Sequence, residues 1–202
     1  ATTTSTHPHP PPPHPVVDFL IVGAGPAGLQ WATLLETHAA DLDYRLLEAA
    51  DAPAPFFRRY PRGRRLISAN KCRVGRHRSA EFALRHDWHS LLDANLSMCD
   101  YSASYYPHAD EYVAYLSAVA ARLPRERLRY GARVVSYEPH GPAGELLSVR
   151  TEGGDTWRCR HLILATGMRP RPIPAAWASA QTWSYADFEA PNASTGAAPF
   201  CE

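Results

Sequence analysis

The sequence predicts an α/β fold in which a parallel sheet with helices on both faces is joined to an antiparallel β-meander. Three stretches predict it. Val16-Val17-Asp18-Phe19-Leu20-Ile21-Val22 is a nearly continuous apolar run, as a parallel strand covered on both faces needs, and it leads through a glycine turn into a helix and a second strand. Between Leu128 and Arg160, short alternating segments are separated by turns, as antiparallel strands are. His161-Leu162-Ile163-Leu164-Ala165-Thr166 is apolar again, is closed by Gly167, and is expected to rejoin the parallel sheet beside the first strand.

The glycine turn is Gly23-Ala24-Gly25-Pro26-Ala27-Gly28. Gly23 permits the tight turn, Gly25 has no side chain to block a pyrophosphate, and Gly28 lets the helix pack close to the strand. Pro26 opens a helix expected over Pro26 to His38, where its missing N–H is not needed. The free N–H groups and the helix dipole suit a diphosphate lying over the loop. A second strand, Tyr44 to Glu48, ends in a carboxylate placed to accept hydrogen bonds from ribose hydroxyls. A lone GxGxxG is weak, but strand, loop, helix, strand and terminal acid stand here in the right order. They point to dinucleotide binding rather than to a glycine turn of some other α/β protein.

Composition narrows the function classes. At 202 residues the chain can bury a core of its own, and a formal net charge of +1 gives no basic field, so nucleic acid is not suggested as a partner. No apolar run approaches the roughly twenty residues needed to cross a bilayer, and no signal-peptide pattern opens the chain. Opening on Ala1 rather than methionine fits a processed or partial chain. Cys72, Cys99, Cys159 and Cys201 form no CxxC pair, so buried or idle thiols are expected rather than a zinc or dithiol centre. Asn95-Leu96-Ser97 and Asn192-Ala193-Ser194 are glycosylation sequons, meaningful only in the secretory path.

In chain order, residues 1–15 are a Pro/His-rich tail with too little apolar surface to order itself. His7, His9 and His14 could catch a metal there, although a solvated tail accounts for them. After Glu48 a long irregular stretch runs to Tyr106, and loops of that length usually carry function. Its segment Phe56 to Lys71 combines six basic side chains with aromatic anchors, fit to neutralise a diphosphate and line a flat ring. His86 and His89 flank Asp87 and Trp88, but sequence neighbours seldom face each other, so neither is taken as a catalyst. A helix is expected over Glu111 to Leu123, capped by Asp110 and stopped by Pro124, with Tyr112, Leu116, Val119 and Leu123 on one face. Four short strands are expected next: Leu128 to Tyr130, Arg133 to Tyr137, Leu146 to Thr151 and Thr156 to Arg160. Residues 175–202 are expected to be a C-terminal tail without a strand, with Trp177, Trp183, Tyr185 and Phe188 as candidate docking anchors.

Gly23 to Gly28 with Glu48, the meander, and Leu162-Ile163-Leu164-Ala165-Thr166-Gly167-Met168-Arg169-Pro170 together resemble the FAD-binding half of two-dinucleotide-domain flavoproteins. Arg59-Tyr60-Pro61 and Tyr105-Tyr106-Pro107 resemble flavin-side segments of flavin-containing monooxygenases. Phe56 to Pro61, Leu66-Ile67-Ser68-Ala69-Asn70-Lys71 and Leu84-Arg85-His86-Asp87-Trp88 are closer still to the FAD-dependent oxidoreductase domain-containing proteins of the endoplasmic reticulum. The resemblance covers about Val16 to Pro174 and implies a Rossmann-like FAD-binding domain over 16–174. It implies FAD with its diphosphate at Gly23, Gly25, Pro26, Ala27 and Gly28, its ribose on Glu48 and its adenine at the backbone of Val134. Arg59 and Tyr60 would lie toward the flavin, and Ala165, Thr166 and Gly167 would close the site. In those monooxygenases NADPH reduces the flavin and one oxygen of O2 passes to a soft nucleophile or a ketone; the protein orients and shields.

The sequence departs from that pattern: no second GxGxxG occurs among its twelve glycines, and Trp183-Ser184-Tyr185 stands where a histidine-containing fingerprint is expected. The expectation is therefore a chain lacking the NADPH domain, with NADPH relevant only if a second domain or a partner chain supplies its site. Two readings stay open. One is an FAD-binding oxidoreductase of monooxygenase type, present as an incomplete half. The other is a non-catalytic FAD-fold module acting through protein contacts in the secretory pathway. Resemblance points to the endoplasmic reticulum lumen and composition alone to the cytoplasm. The substrate and the catalytic residues are not specified by the sequence.

Overall fold

The computed structural model describes residues 14–60, 63–70, 89–92, 95–167 and 173–177. Its six-stranded sheet comprises β1 (Val16–Val22), β2 (Tyr44–Leu47), β3 (Leu128–Arg129), β4 (Val134–His140), β5 (Leu146–Thr151) and β6 (Thr156–Leu164). Their spatial order is β3-β2-β1-β6-β5-β4. The described α-helices are α1 (Pro26–His38), α2 (Pro55–Arg59) and α3 (Ala109–Ala121).

β1 pairs in parallel with β2 on one side and with β6 on the other, as the two apolar runs require. The register sets Val22 opposite both Leu47 and Leu164, and Leu47 opposite Arg129, so the strand ends share one edge of the sheet. Crevices beyond such carboxyl ends are where open α/β sheets take their ligands.

The two strands expected over Thr156 to Arg160 and His161 to Thr166 are one. β6 runs unbroken from Thr156 to Leu164, its first half antiparallel to β5 and its length parallel to β1. No turn residue separates Arg160 from His161, so nothing obliges the chain to break there. The first short strand also differs from expectation: β3 pairs in parallel with β2 and belongs to the nucleotide side, leaving β4, β5 and β6 as the antiparallel part.

Two apolar clusters hold the sheet. On one face, Leu29, Ala32 and Leu35 of α1 and Tyr112, Tyr115, Leu116 and Val119 of α3 pack with Ile21, Tyr44 and Leu46. Burying such side chains contributes about 1.5–3 kcal/mol each before ordering costs. The second cluster joins Val17, Leu20 and Leu47 to Val149, Trp157 and Cys159. The helical spacing of Tyr112, Leu116, Val119 and Leu123 thus reports a buried face, and all four are buried.

The cap of α3 is His108, not Asp110. Its imidazole Nδ1 accepts the Asp110 N–H at 3.3 Å, while Glu111 reaches back to accept the His108 N–H at 2.7 Å. Asp110 is drawn away to the guanidinium of Arg64, whose hydrogen bond holds its carboxyl below the usual value.

Cys159 is buried and free, as a packing thiol should be. Cys99 is disulfide-bonded, which corrects the expectation of idle thiols; its partner lies outside the described residues. Short spacings reveal only local cysteine pairs, whereas a disulfide joins residues that the fold brings together. Cys72, Cys201, His86, the sequon at Asn192, Trp183-Ser184-Tyr185 and Phe188 also lie outside the described residues, as do His7 and His9. His89 is buried and meets the edge of Tyr112 at 5.8 Å, a packing contact.

Candidate functional site

The glycine turn sits at the shared edge of β1, β2 and β6, and its geometry separates three uses of glycine. A Cβ on Gly23, whose φ is +109°, would stand 2.5 Å from the Ala165 carbonyl oxygen; a Cβ on Gly28 would stand 1.8 Å from the Gly23 carbonyl oxygen. Both distances are impossible contacts, so these glycines allow backbone to approach backbone. A Cβ on Gly25 would meet nothing within 4 Å. The space above Gly25 is open, as a phosphate seat requires.

The end of β6 closes on the loop. Ala165 donates its N–H to Val22 at 2.9 Å, and its carbonyl is the atom that forbids a side chain at Gly23. Thr166 and Gly167 follow directly, with Gly167 in the left-handed region at φ +72°. The backbone of Ala165 and Thr166 is therefore brought beside Gly23.

The N-terminus of α1 presents the donors. Pro26 has no N–H, Leu29 already donates to Gly25 at 3.0 Å, and the N–H groups of Gly25, Ala27 and Gly28 have no acceptor among the described residues. Ala24 is different, because its N–H points to Glu48.

Glu48 follows β2 and is 5 % exposed. Its Oε2 accepts the Ala24 N–H at 2.7 Å and its Oε1 accepts the Ala50 N–H at 2.8 Å. Its own backbone is tied at both ends, to the carbonyl of Arg129 and to the N–H of Ala132, each at 2.8 Å. Val134, at the start of β4, lies two residues beyond that tie. Glu48 is thus tied to the chain between β3 and β4, and Val134 itself pairs with Thr151 of β5. Burial and the nearby Glu48 carboxylate push the Tyr130 hydroxyl up, partly offset by Arg58.

α2 is attached from another side. Ala54, buried and in the left-handed region at φ +57°, donates its N–H to the Ala24 carbonyl at 3.0 Å. Arg59 and Tyr60 stand at the opposite end of this short helix, with the Arg59 guanidinium 5.6 Å from the Tyr60 ring centre. Arg64 donates to the carbonyls of Phe57 at 2.8 Å and Tyr60 at 3.3 Å, capping α2. The structure fastens α2 to the loop through Ala54 and leaves Arg59 and Tyr60 one turn away from that joint.

Residues 64–70 are bound along 105–109. Leu66 donates to Pro107 at 2.9 Å, Asn70 to Tyr105 at 2.7 Å, and Ala109 to Arg64 at 2.9 Å. Buried Asn70 also donates from Nδ2 to the Ser102 carbonyl at 2.7 Å. Arg65, Leu66, Ile67, Ser104, Tyr105 and Tyr106 line a cavity of about 650 Å³. Both segments carry the resemblance, but their pairing is not legible in the sequence, since forty residues separate them.

The Ala24 tie to Glu48, the left-handed Ala54 and the capping role of Arg64 also escape sequence reading. The acid at position 48 is found through its spacing; no pattern marks which backbone amides it accepts. Among the described residues no cluster of three or more metal-ligating side chains occurs, and no helix is long and apolar enough to cross a membrane.

Comparison with known proteins identifies the family of this fold. A family model described as pyridine nucleotide-disulphide oxidoreductase matches residues 20–195. The FAD-dependent oxidoreductase domain-containing protein 2 of Mus musculus is 41% identical over 161 residues, covering 77% of this chain and 24% of the relative. Its counterpart in Danio rerio is 38% identical over 156 residues, covering 75% of this chain and 22% of the relative. The chain therefore spans less than a quarter of the length of either. Among solved structures, a flavin-containing monooxygenase from Stenotrophomonas maltophilia superposes with a TM-score of 0.58 at 25% identity, over 75% of this chain and 38% of its own. An oxidised steroid monooxygenase bound to NADP superposes with a TM-score of 0.56 at 28% identity, over 80% of this chain and 28% of its own.

Proposed function

The chain belongs to the pyridine nucleotide-disulphide oxidoreductase family and has a monooxygenase-like FAD-binding fold, and we propose that it binds FAD as the flavin-holding part of an oxidoreductase of monooxygenase type. The observation that carries this reading is the open space at Gly25 together with the N–H groups of Gly25, Ala27 and Gly28, which have no acceptor among the described residues, and the Glu48 carboxylate bonded to the adjoining Ala24 N–H. These are the groups a diphosphate and its ribose require.

In this reading the amides of Gly25, Ala27 and Gly28 hold the diphosphate, and the remaining lone pairs of Glu48 accept the ribose hydroxyls. The backbone near Val134 meets the adenine, while Ala165, Thr166 and Gly167 bound the opening from the β6 side. Arg65, Leu66, Ile67, Tyr105 and Tyr106 offer a cavity with apolar and aromatic walls for a flat ring. Arg59 and Tyr60, at the flavin-side end of α2, supply a cation and an aromatic face toward it. The flavin, when bound, supplies the redox chemistry. NADPH and O2 are proposed as co-substrates only of a whole protein, since the match to the Mus musculus relative covers 24% of that relative. The corresponding organisation is an FAD-binding domain over 16–174, flanked by tails at 1–15 and 175–202.

Equilibrium dialysis of the purified chain against FAD tests the proposal. Stoichiometric uptake with a bound-flavin absorbance spectrum is the expected result, and a colourless chain that takes up none refutes it. NADPH consumption by the FAD-loaded chain, compared with that of a longer chain that includes a second nucleotide-binding domain, separates a flavin half from a module that holds FAD without turnover.

A further inference from the structure

A ribose ligand need only face solvent until its sugar arrives. Glu48 is instead buried, and each of its carboxylate oxygens is already taken by a backbone N–H, from Ala24 at 2.7 Å and from Ala50 at 2.8 Å. Hydrogen bonds to an ionised carboxylate are about twice as strong as neutral ones, and two such bonds from opposite directions fix the group.

Ala24 is the residue through which this matters. It is fully buried, lies between Gly23 and Gly25, and passes the connection on by accepting the Ala54 N–H on its carbonyl at 3.0 Å. With its N–H turned toward Glu48, Ala24 is withheld from any phosphate, and the Gly23–Ala24 peptide plane is set, while the Ala54 N–H holds the carbonyl of the next one. The same carboxylate holds the 48–50 turn through Ala50, whose carbonyl accepts the Gly131 N–H at 2.9 Å.

We propose that Glu48 is a positioning residue for the phosphate loop, locking the Ala24 peptide in its binding orientation before any ligand is present, in addition to serving as a sugar acceptor. The proposal rests on the FAD reading only for its consequence in binding. An ionised carboxylate has about four acceptor positions, so two engaged by the backbone leave two for a pair of ribose hydroxyls. The two tasks use different lone pairs and are separable by experiment.

Amide hydrogen exchange of the ligand-free chain, read residue by residue, provides the first test. In Glu48→Ala the amides of Ala24 and Ala50 are expected to exchange about tenfold faster or more, the loss of a charge-assisted hydrogen bond, while Ile21 in the neighbouring strand keeps its rate. In Glu48→Gln, which keeps the volume and one carbonyl oxygen, one of the two amides loses protection. This variant gives a reading even if the alanine chain does not fold. Equal acceleration at Ile21 would reveal general destabilisation and overturn the proposal, as would unchanged exchange at Ala24.

The second test compares FAD with an analogue lacking both adenosine ribose hydroxyls. The loss of affinity in Glu48→Gln is expected to persist with the analogue, because the loop still loses its hold. A loss that vanishes with the analogue would leave Glu48 as a sugar ligand alone. Wild-type chain that takes up no FAD would refute the proposed function, while protection of Ala24 in that same chain would still support the lock.

Discussion

A Cβ placed on Gly28 would lie 1.8 Å from the carbonyl oxygen of Gly23, five residues earlier in the chain. The first turn of α1 thus rests directly on the turn that leaves β1, with no room for even a methyl group. Gly28→Ala is expected to destabilise the ligand-free chain by about 1–3 kcal/mol or more, since the obstacle is backbone rather than a movable side chain. Urea unfolding of wild type and variant measures it, and an unchanged midpoint would contradict this packing.

Gly25→Ala should behave in the opposite way. Gly25 has φ −81° and an open surrounding, so a methyl group costs the folded chain little, within about 0.5 kcal/mol. It does occupy the proposed phosphate seat. FAD affinity is expected to fall at least about tenfold, or 1.4 kcal/mol, with the unfolding midpoint preserved.

Arg64 holds α2 and α3 together through Phe57, Tyr60 and Asp110. Its hydrogen bond lowers the Asp110 pKa from 3.8. A depressed folded-state value means stability present above the unfolded pKa and lost as pH falls through the folded one. In Arg64→Ala the Asp110 carboxyl should titrate near its ordinary value in an NMR experiment, and the acid-side loss assignable to this pair should disappear.

Burial pushes the Cys159 thiol from 9.0 up to about 11. Between those values the unfolded chain releases its proton while the folded chain retains it, so stability falls as pH rises. A shift of that size corresponds to roughly 2–3 kcal/mol over the window. The difference between wild-type and Cys159→Ala unfolding curves, taken from pH 8 to 11, isolates it from other groups, and a pH-independent difference would refute it. The same burial predicts a thiol that resists alkylation at neutral pH in the native chain.

Much of the fold was legible because it depends on periodicity and turn chemistry. β1 and α1 end where their apolar run and Pro26-to-His38 pattern end, and Glu48 follows β2 at the distance from Gly28 that the loop requires. What escaped were relations between distant segments. The cap of α3 moved to His108 because Arg64, forty-six residues away, competes for Asp110. Ala54 adopts a left-handed conformation that alanine rarely chooses, and its tie to Ala24 gives a reason that no local preference contains. Of the site, the residue types and their order could be read in advance; the amides that Glu48 accepts could not, because backbone donors have no sequence signature.

The unbroken course of β6 makes the meander and the nucleotide layer one cooperative body. Cys159 is paired with Leu147 across one border and Val17 across the other, so melting either half strips hydrogen bonds from the strand that the other half needs. Heat or denaturant should therefore dismantle both in a single transition, and proteolysis will find no stable fragment by cutting between them.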